Sequence, residues 1–190
     1  MKVYTSDRSR PERVKVGVAE YAVAESEASL VTSGLGSCVG IAIIDPDAGV
    51  AGLAHAMLPK AEANGGAAPS TASGTDPETG TEGHADGGRP DEAKYVDTAV
   101  PGLLRSMAAS GADRSNLEAR IAGGSAMFEF GADGDGVGER NVAAAEEVLA
   151  AHDIPIVGRD VGGDYGRSLE FDVASGELSV RRAHGETQVL

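Results

Sequence analysis

The chain of 190 residues holds a single cysteine, Cys38, which closes the turn Gly34-Leu35-Gly36-Ser37. A thiol attacks only as thiolate, and at an ordinary pKa of about 8.5 most of it stays protonated at neutral pH. An imidazole within reach can take that proton and later return it to a leaving group. His55, downstream, is the candidate base. Thr32, just upstream, supplies a hydroxyl able to orient the imidazole, and Ser33 beside it is a second candidate hydroxyl. Glycines 34 and 36 suit a tight turn that exposes backbone N–H groups, which are candidate donors to an oxyanion. Taken singly, each residue also has an ordinary structural reading: Cys38 as a small buried hydrophobe, His55 as a satisfied core histidine. Thiol and imidazole alone also leave the reaction open, because proteases, transglutaminases and deamidases all use them.

The elements that must position these groups are legible nearby. Val39 to Ile44 is an unbroken run of apolar residues and glycine, the composition of a buried strand. Asp45-Pro46-Asp47-Ala48-Gly49 is a turn, and Val50 to Pro59 is the returning segment. A hairpin closed between Ile44 and Val50 sets Val39 opposite His55, and a slip of one residue sets Cys38 there. Directly opposed side chains have Cβ atoms about 4.5–5.5 Å apart. Periodicity leaves that register open.

Further along, Val14 to Val18 and Tyr21 to Val23 have strand character, Glu25 to Glu27 a turn, and Leu30 to Thr32 a short strand delivering Thr32. Residues 1–12 are expected to form a polar tail. Residues 60–93 contain seven glycines and three prolines but no Val, Leu, Ile, Met or aromatic residue. Such a segment cannot offset its ordering entropy by burial, so a disordered insertion is expected, with His84 solvated in it. Asp91 to Ser110 has helical periodicity through Tyr95, Ala99, Leu103 and Met107, with Pro101 expected to kink or divide it. Leu117 to Ala122 and Ile154 to Val157 are expected strands. Phe130 to Val137 reads as an acidic loop, and Gly138 to His152 as a helix presenting Val142, Ala145 and Leu149. Ser168 to Val173 and Leu178 to Arg182 make a hairpin fed by the loop Gly162 to Arg167, whose Asp164, Tyr165 and Arg167 are expected to be structural; a tail follows. Many strands with two helices argue an α+β class and a single domain over 1–190.

Composition excludes several functions. Thirty acidic residues against sixteen basic ones give a net charge of −14, which repels phosphate and disfavours nucleic acid. Such a surface does not suit anionic membranes, and no apolar run approaches the roughly 20 residues of a membrane helix. The first residues lack the apolar core of a signal peptide, so a cytoplasmic location is expected. One cysteine makes no internal disulfide and no zinc-type Cys pair, and no metal or organic cofactor is implied. Acidic, lysine-poor and rich in Gly and Ala, the composition resembles that of halophilic archaeal proteins and implies a need for molar salt.

Gly-Leu-Gly-Ser-Cys-Val-Gly at 34–40, then Asp45-Pro46, then Gly-Leu-Ala-His-Ala-Met-Leu-Pro at 52–59 resembles the signature of CheD, the chemoreceptor glutamine deamidase family. Further blocks follow in the family's order: Lys94 to Asp97, Gly123 to Phe128, Gly138 to Asn141, Gly162 to Arg167 and Val180 to Arg182. The resemblance implies that Cys38, His55 and Thr32 are catalytic in converting receptor Gln to Glu without a cofactor. It implies a β-sandwich-like core flanked by helices, in a cysteine-hydrolase arrangement that resembles bacterial toxin deamidases. It also implies methyl-accepting chemoreceptors as substrate, a CheC-type phosphatase as partner, and methyl-ester hydrolysis as a side activity. An adaptor that docks CheC with weak catalysis is the alternative. The family usually has a shorter connection where residues 60–93 lie.

Overall fold

The structure, a computed structural model, describes residues 12–61, 92–126 and 136–190. Among the described residues, ten strands and two α-helices occur in the order β1 (Glu12–Lys15), β2 (Glu20–Glu25), β3 (Ala28–Leu35), β4 (Val39–Asp45), β5 (Val50–Ala56), α1 (Val96–Ala109), β6 (Glu118–Gly123), α2 (Val137–Ala151), β7 (Ile156–Val161), β8 (Arg167–Asp172), β9 (Leu178–Arg182) and β10 (Thr187–Val189). They form two five-stranded sheets. The first has the order β1-β3-β8-β9-β10 and the second β2-β5-β4-β6-β7.

The apolar run of β4 reflects burial on both faces, which removes the usual alternation of apolar and polar residues. Val39, Ile41 and Ile43 pack in one cluster with Leu103 and Met107 of α1 and Leu149 of α2. Ala42 and Ile44 pack in another with Leu30, Phe171 and Val180 from the first sheet. The second sheet is therefore the middle layer, between the helices and the first sheet. This is the expected α+β architecture, a two-sheet core flanked by helices.

Several local expectations are corrected. The β4–β5 hairpin closes one position later than expected: Asp45 pairs with Val50, and Gly40 rather than Val39 or Cys38 faces His55. The Asp45 side chain accepts bonds from the Asp47 and Ala48 N–H groups, so Asp45 both ends β4 and caps the turn. α1 starts at Val96 and runs undivided through Pro101, because its buried stripe of Ala99, Val100, Leu103 and Met107 continues on both sides of the lost hydrogen bond. Tyr95 is the N-cap and not part of that stripe. The strand expected at 154–157 runs from Ile156 to Val161, paired in parallel with β6. Part of the expected C-terminal tail is β10, paired with β9. The strand expected from Val14 ends at Lys15.

The expected polar tail except Glu12, which belongs to β1, most of the expected 60–93 insertion with His84, and most of the acidic loop lie outside the described residues. The ends of the insertion are close together. Met57 and Leu58 donate to the Lys94 carbonyl, and Val96 donates back to Leu58.

Candidate active site

Thr32 comes from β3 of the first sheet and His55 from β5 of the second. Alternation along β3 turns Thr32 inward and leaves Ser33 exposed, so of the two candidate hydroxyls only Thr32 meets the imidazole. Thr32 Oγ1 lies 2.8 Å from His55 Nδ1, a hydrogen bond between the sheets. Both residues are buried, His55 with 0% exposure. The other ring nitrogen, Nε2, is buried without a hydrogen-bond partner. Burial lowers the His55 pKa to about 4, so the imidazole is neutral at pH 7 and able to accept a proton. Gly40, across from His55, leaves room that a side chain would take: a Cβ there would lie 2.4 Å from Leu169 Cδ1.

Cys38 lies just before β4, half-buried, and packs against the cluster between the two sheets. The layer that receives Cys38 is also the layer into which His55 projects. Desolvation pushes the thiol pKa up, and the residue's own backbone N–H pulls it partly back. At rest, then, thiol and imidazole are both held neutral by burial. Upstream, Gly34 has φ +81°, a left-handed conformation open to glycine, and lies at the register shift between Ser33 and Leu35 in the β3–β8 pairing. That bulge turns the chain out of the first sheet toward Cys38.

Asn141 was not among the site residues expected from sequence. It is fully buried in α2, and its Nδ2 donates to the carbonyls of Ser37 and Met57, each at 2.8 Å. The available signal was an amide side chain on the buried face of an amphipathic helix, three residues after Gly138. The loop after β6 also holds the cysteine turn. Gly124 N–H donates to Cys38 O and Ser125 N–H to Gly36 O, each at 2.8 Å. Of the loop residues 164, 165 and 167, Arg167 is structural as expected. Its guanidinium, fully buried, pairs with Asp160 at 2.9 Å and also donates to the carbonyls of Gly162 and Tyr165. That ion pair steadies the loop whose Gly162 and Gly163 bond the backbone of Gly123 and Ala126.

Fold and site together describe an α+β protein in which a bonded imidazole–hydroxyl pair lies between the two sheets and a thiol packs against the cluster in that same layer, with no hydrogen bond from the thiol to the free Nε2. The family model described as CheD chemotactic sensory transduction matches residues 77–182. The match begins after all three candidate residues, whereas the relatives aligned end to end span those positions. A probable chemoreceptor glutamine deamidase CheD of Haloarcula marismortui is 41% identical, with 100% of each chain covered. One from Natronomonas pharaonis is 39% identical, also over 100% of each chain. The chemoreceptor glutamine deamidase CheD of Halalkalibacterium halodurans is 39% identical, over 93% of this chain and 98% of its own. The chain belongs to the CheD family.

Proposed function

We propose that this chain, acting as one unit, deamidates glutamine side chains on chemoreceptors, with Cys38 as nucleophile, His55 as base and acid, and Thr32 as the group that orients His55. The observation that carries the reading is the Thr32–His55 bond. It ties Nδ1 to one sheet and leaves Nε2 unpaired in the layer against which Cys38 packs. With Nδ1–H donating to the Thr32 oxygen, the Nε2 lone pair is free for the thiol proton.

In this mechanism the Cys38 proton passes to Nε2 as sulfur attacks the carboxamide carbon. The tetrahedral oxyanion is held by backbone N–H groups near Gly36 to Cys38. Collapse breaks the C–N bond, and imidazolium gives its proton to departing ammonia. Water then attacks the thioester, passing a proton to His55, and the C–S bond breaks to release glutamate and regenerate the thiol. The established name of the relatives supplies the substrate class, and receptor cytoplasmic segments are the proposed place of action.

The test is mass spectrometry of receptor peptides, where each Gln→Glu change adds about one mass unit. Wild type converts the peptide and Cys38→Ala does not; conversion by Cys38→Ala at the wild-type rate overturns the cysteine mechanism. Docking of a CheC-type phosphatase is a separate proposal carried by the family likeness. Pull-down with Cys38→Ala protein separates that docking from catalysis.

A further inference from the structure

Three successive carbonyls of the cysteine turn accept hydrogen bonds from α2 and the loop after β6. Gly36 O accepts from Ser125 N–H, Ser37 O from Asn141 Nδ2, and Cys38 O from Gly124 N–H. The donors are neighbours because α2 lies against that loop at Gly138: a Cβ on Gly138 would sit 2.6 Å from Gly124 O and 2.8 Å from Ser125 O. Asn141, one helical turn on, reaches past this contact to the turn.

The peptide bonds here are trans, so each C=O points opposite to the N–H of the next residue. Fixing the Gly36 and Ser37 carbonyls against α2 and its loop therefore aims the Ser37 and Cys38 N–H groups the other way. Neither N–H has a hydrogen-bond partner among the described residues.

We infer that Asn141 is a positioning residue, whose bond to Ser37 O holds the Ser37 and Cys38 N–H groups as a two-donor oxyanion hole. Its second bond, to Met57 O, lies two residues beyond His55, so one amide group fixes the turn bearing the nucleophile relative to the strand bearing the base. Asn141 touches no reacting atom; it acts through the peptide planes. The inference rests on the cysteine mechanism proposed above.

The test uses the full chain and a receptor peptide, with rates expressed per folded molecule, the folded fraction being read from each variant's own unfolding transition. Asn141→Ala and Asn141→Asp lower kcat by about 10²-fold, the scale of losing one oxyanion donor, with KM little changed. Asp keeps the shape but turns an acceptor toward two carbonyls. Val148→Ala, on the same helix and packed against its apolar cluster, lowers Tm and leaves kcat per site unchanged. An Asn141 loss confined to KM or to Tm, or one matched by Val148→Ala, overturns the inference.

A second measurement needs no variant. A glutamine-peptide analogue with an aldehyde in place of the carboxamide adds the Cys38 thiol across its C=O, forming a C–S bond and a tetrahedral oxygen. Amide exchange at Ser37 and Cys38 then slows in the wild-type adduct; unchanged exchange at both overturns the inference. Deamidation surviving Cys38→Ala removes the underlying mechanism instead, so the two failures are distinguishable.

Discussion

The two faces of the second sheet are built from the same strands yet do different things. Toward the helices, β4 and β5 present Ile41, Ile43 and Ala54 to Leu103, Met107 and Leu149, an apolar packing problem solved by shape. Toward the first sheet the packing is also apolar through Ala42, Ile44, Leu53 and Phe171, but β5 places a buried histidine there, one residue before its end. A buried imidazole is tolerable when a partner is fixed for it, and only the facing sheet can supply one without breaking a strand. The helix-side layer thus sets stability, while the sheet–sheet layer carries polar groups whose arrangement matters more than their burial. Asn141 joins the two, reaching from a helix to the cysteine turn.

Substitutions on each side test that division. Leu103→Ala removes a fully buried side chain from the helix-side layer and lowers unfolding stability by about 2–5 kcal/mol, measured by denaturant unfolding. The kcat of the folded fraction stays unchanged; a parallel loss of kcat breaks the comparison.

Acid acts on the other side. Because the folded-state pKa of His55 is lowered to about 4 from 6.5, the unfolded chain binds the proton first as pH falls. Its contribution is present above pH 6.5 and lost between there and pH 4, in all about 3 kcal/mol. A His55→Gln variant lacks this component, so unfolding curves of the two proteins converge with acid. Parallel curves refute the assignment.

The smallest effect is the most local. Thr32→Val keeps the shape of the side chain but leaves His55 Nδ1 unpaired, costing about 1–3 kcal/mol in stability and lowering kcat. Ser33→Ala, on the exposed face of β3, changes neither. Equal effects from the two would show that the hydroxyl does not orient the imidazole.

Much of this was legible without coordinates. Cys38 before an apolar run, the turn at Asp45, the return to His55 and the strand carrying Thr32 are set by local rules: apolar periodicity, proline, and glycine where a bulge needs positive φ. Helices α1 and α2 followed from their stripes. The register did not follow, because a run apolar on both faces looks the same after a slip of one residue, so Gly40 rather than Val39 came to face His55. The choice of Thr32 over Ser33 needed the opposing sheet to say which face was inward. Asn141 needed it most, since its partners at Ser37 and Met57 lie far from it in the chain. By itself the sequence determined which chemical groups are present and which short elements carry them, because those depend on neighbours along the chain. Tertiary structure alone decided which groups meet and which N–H groups stay free, because contacts between sheets and helices depend on packing that no local pattern encodes.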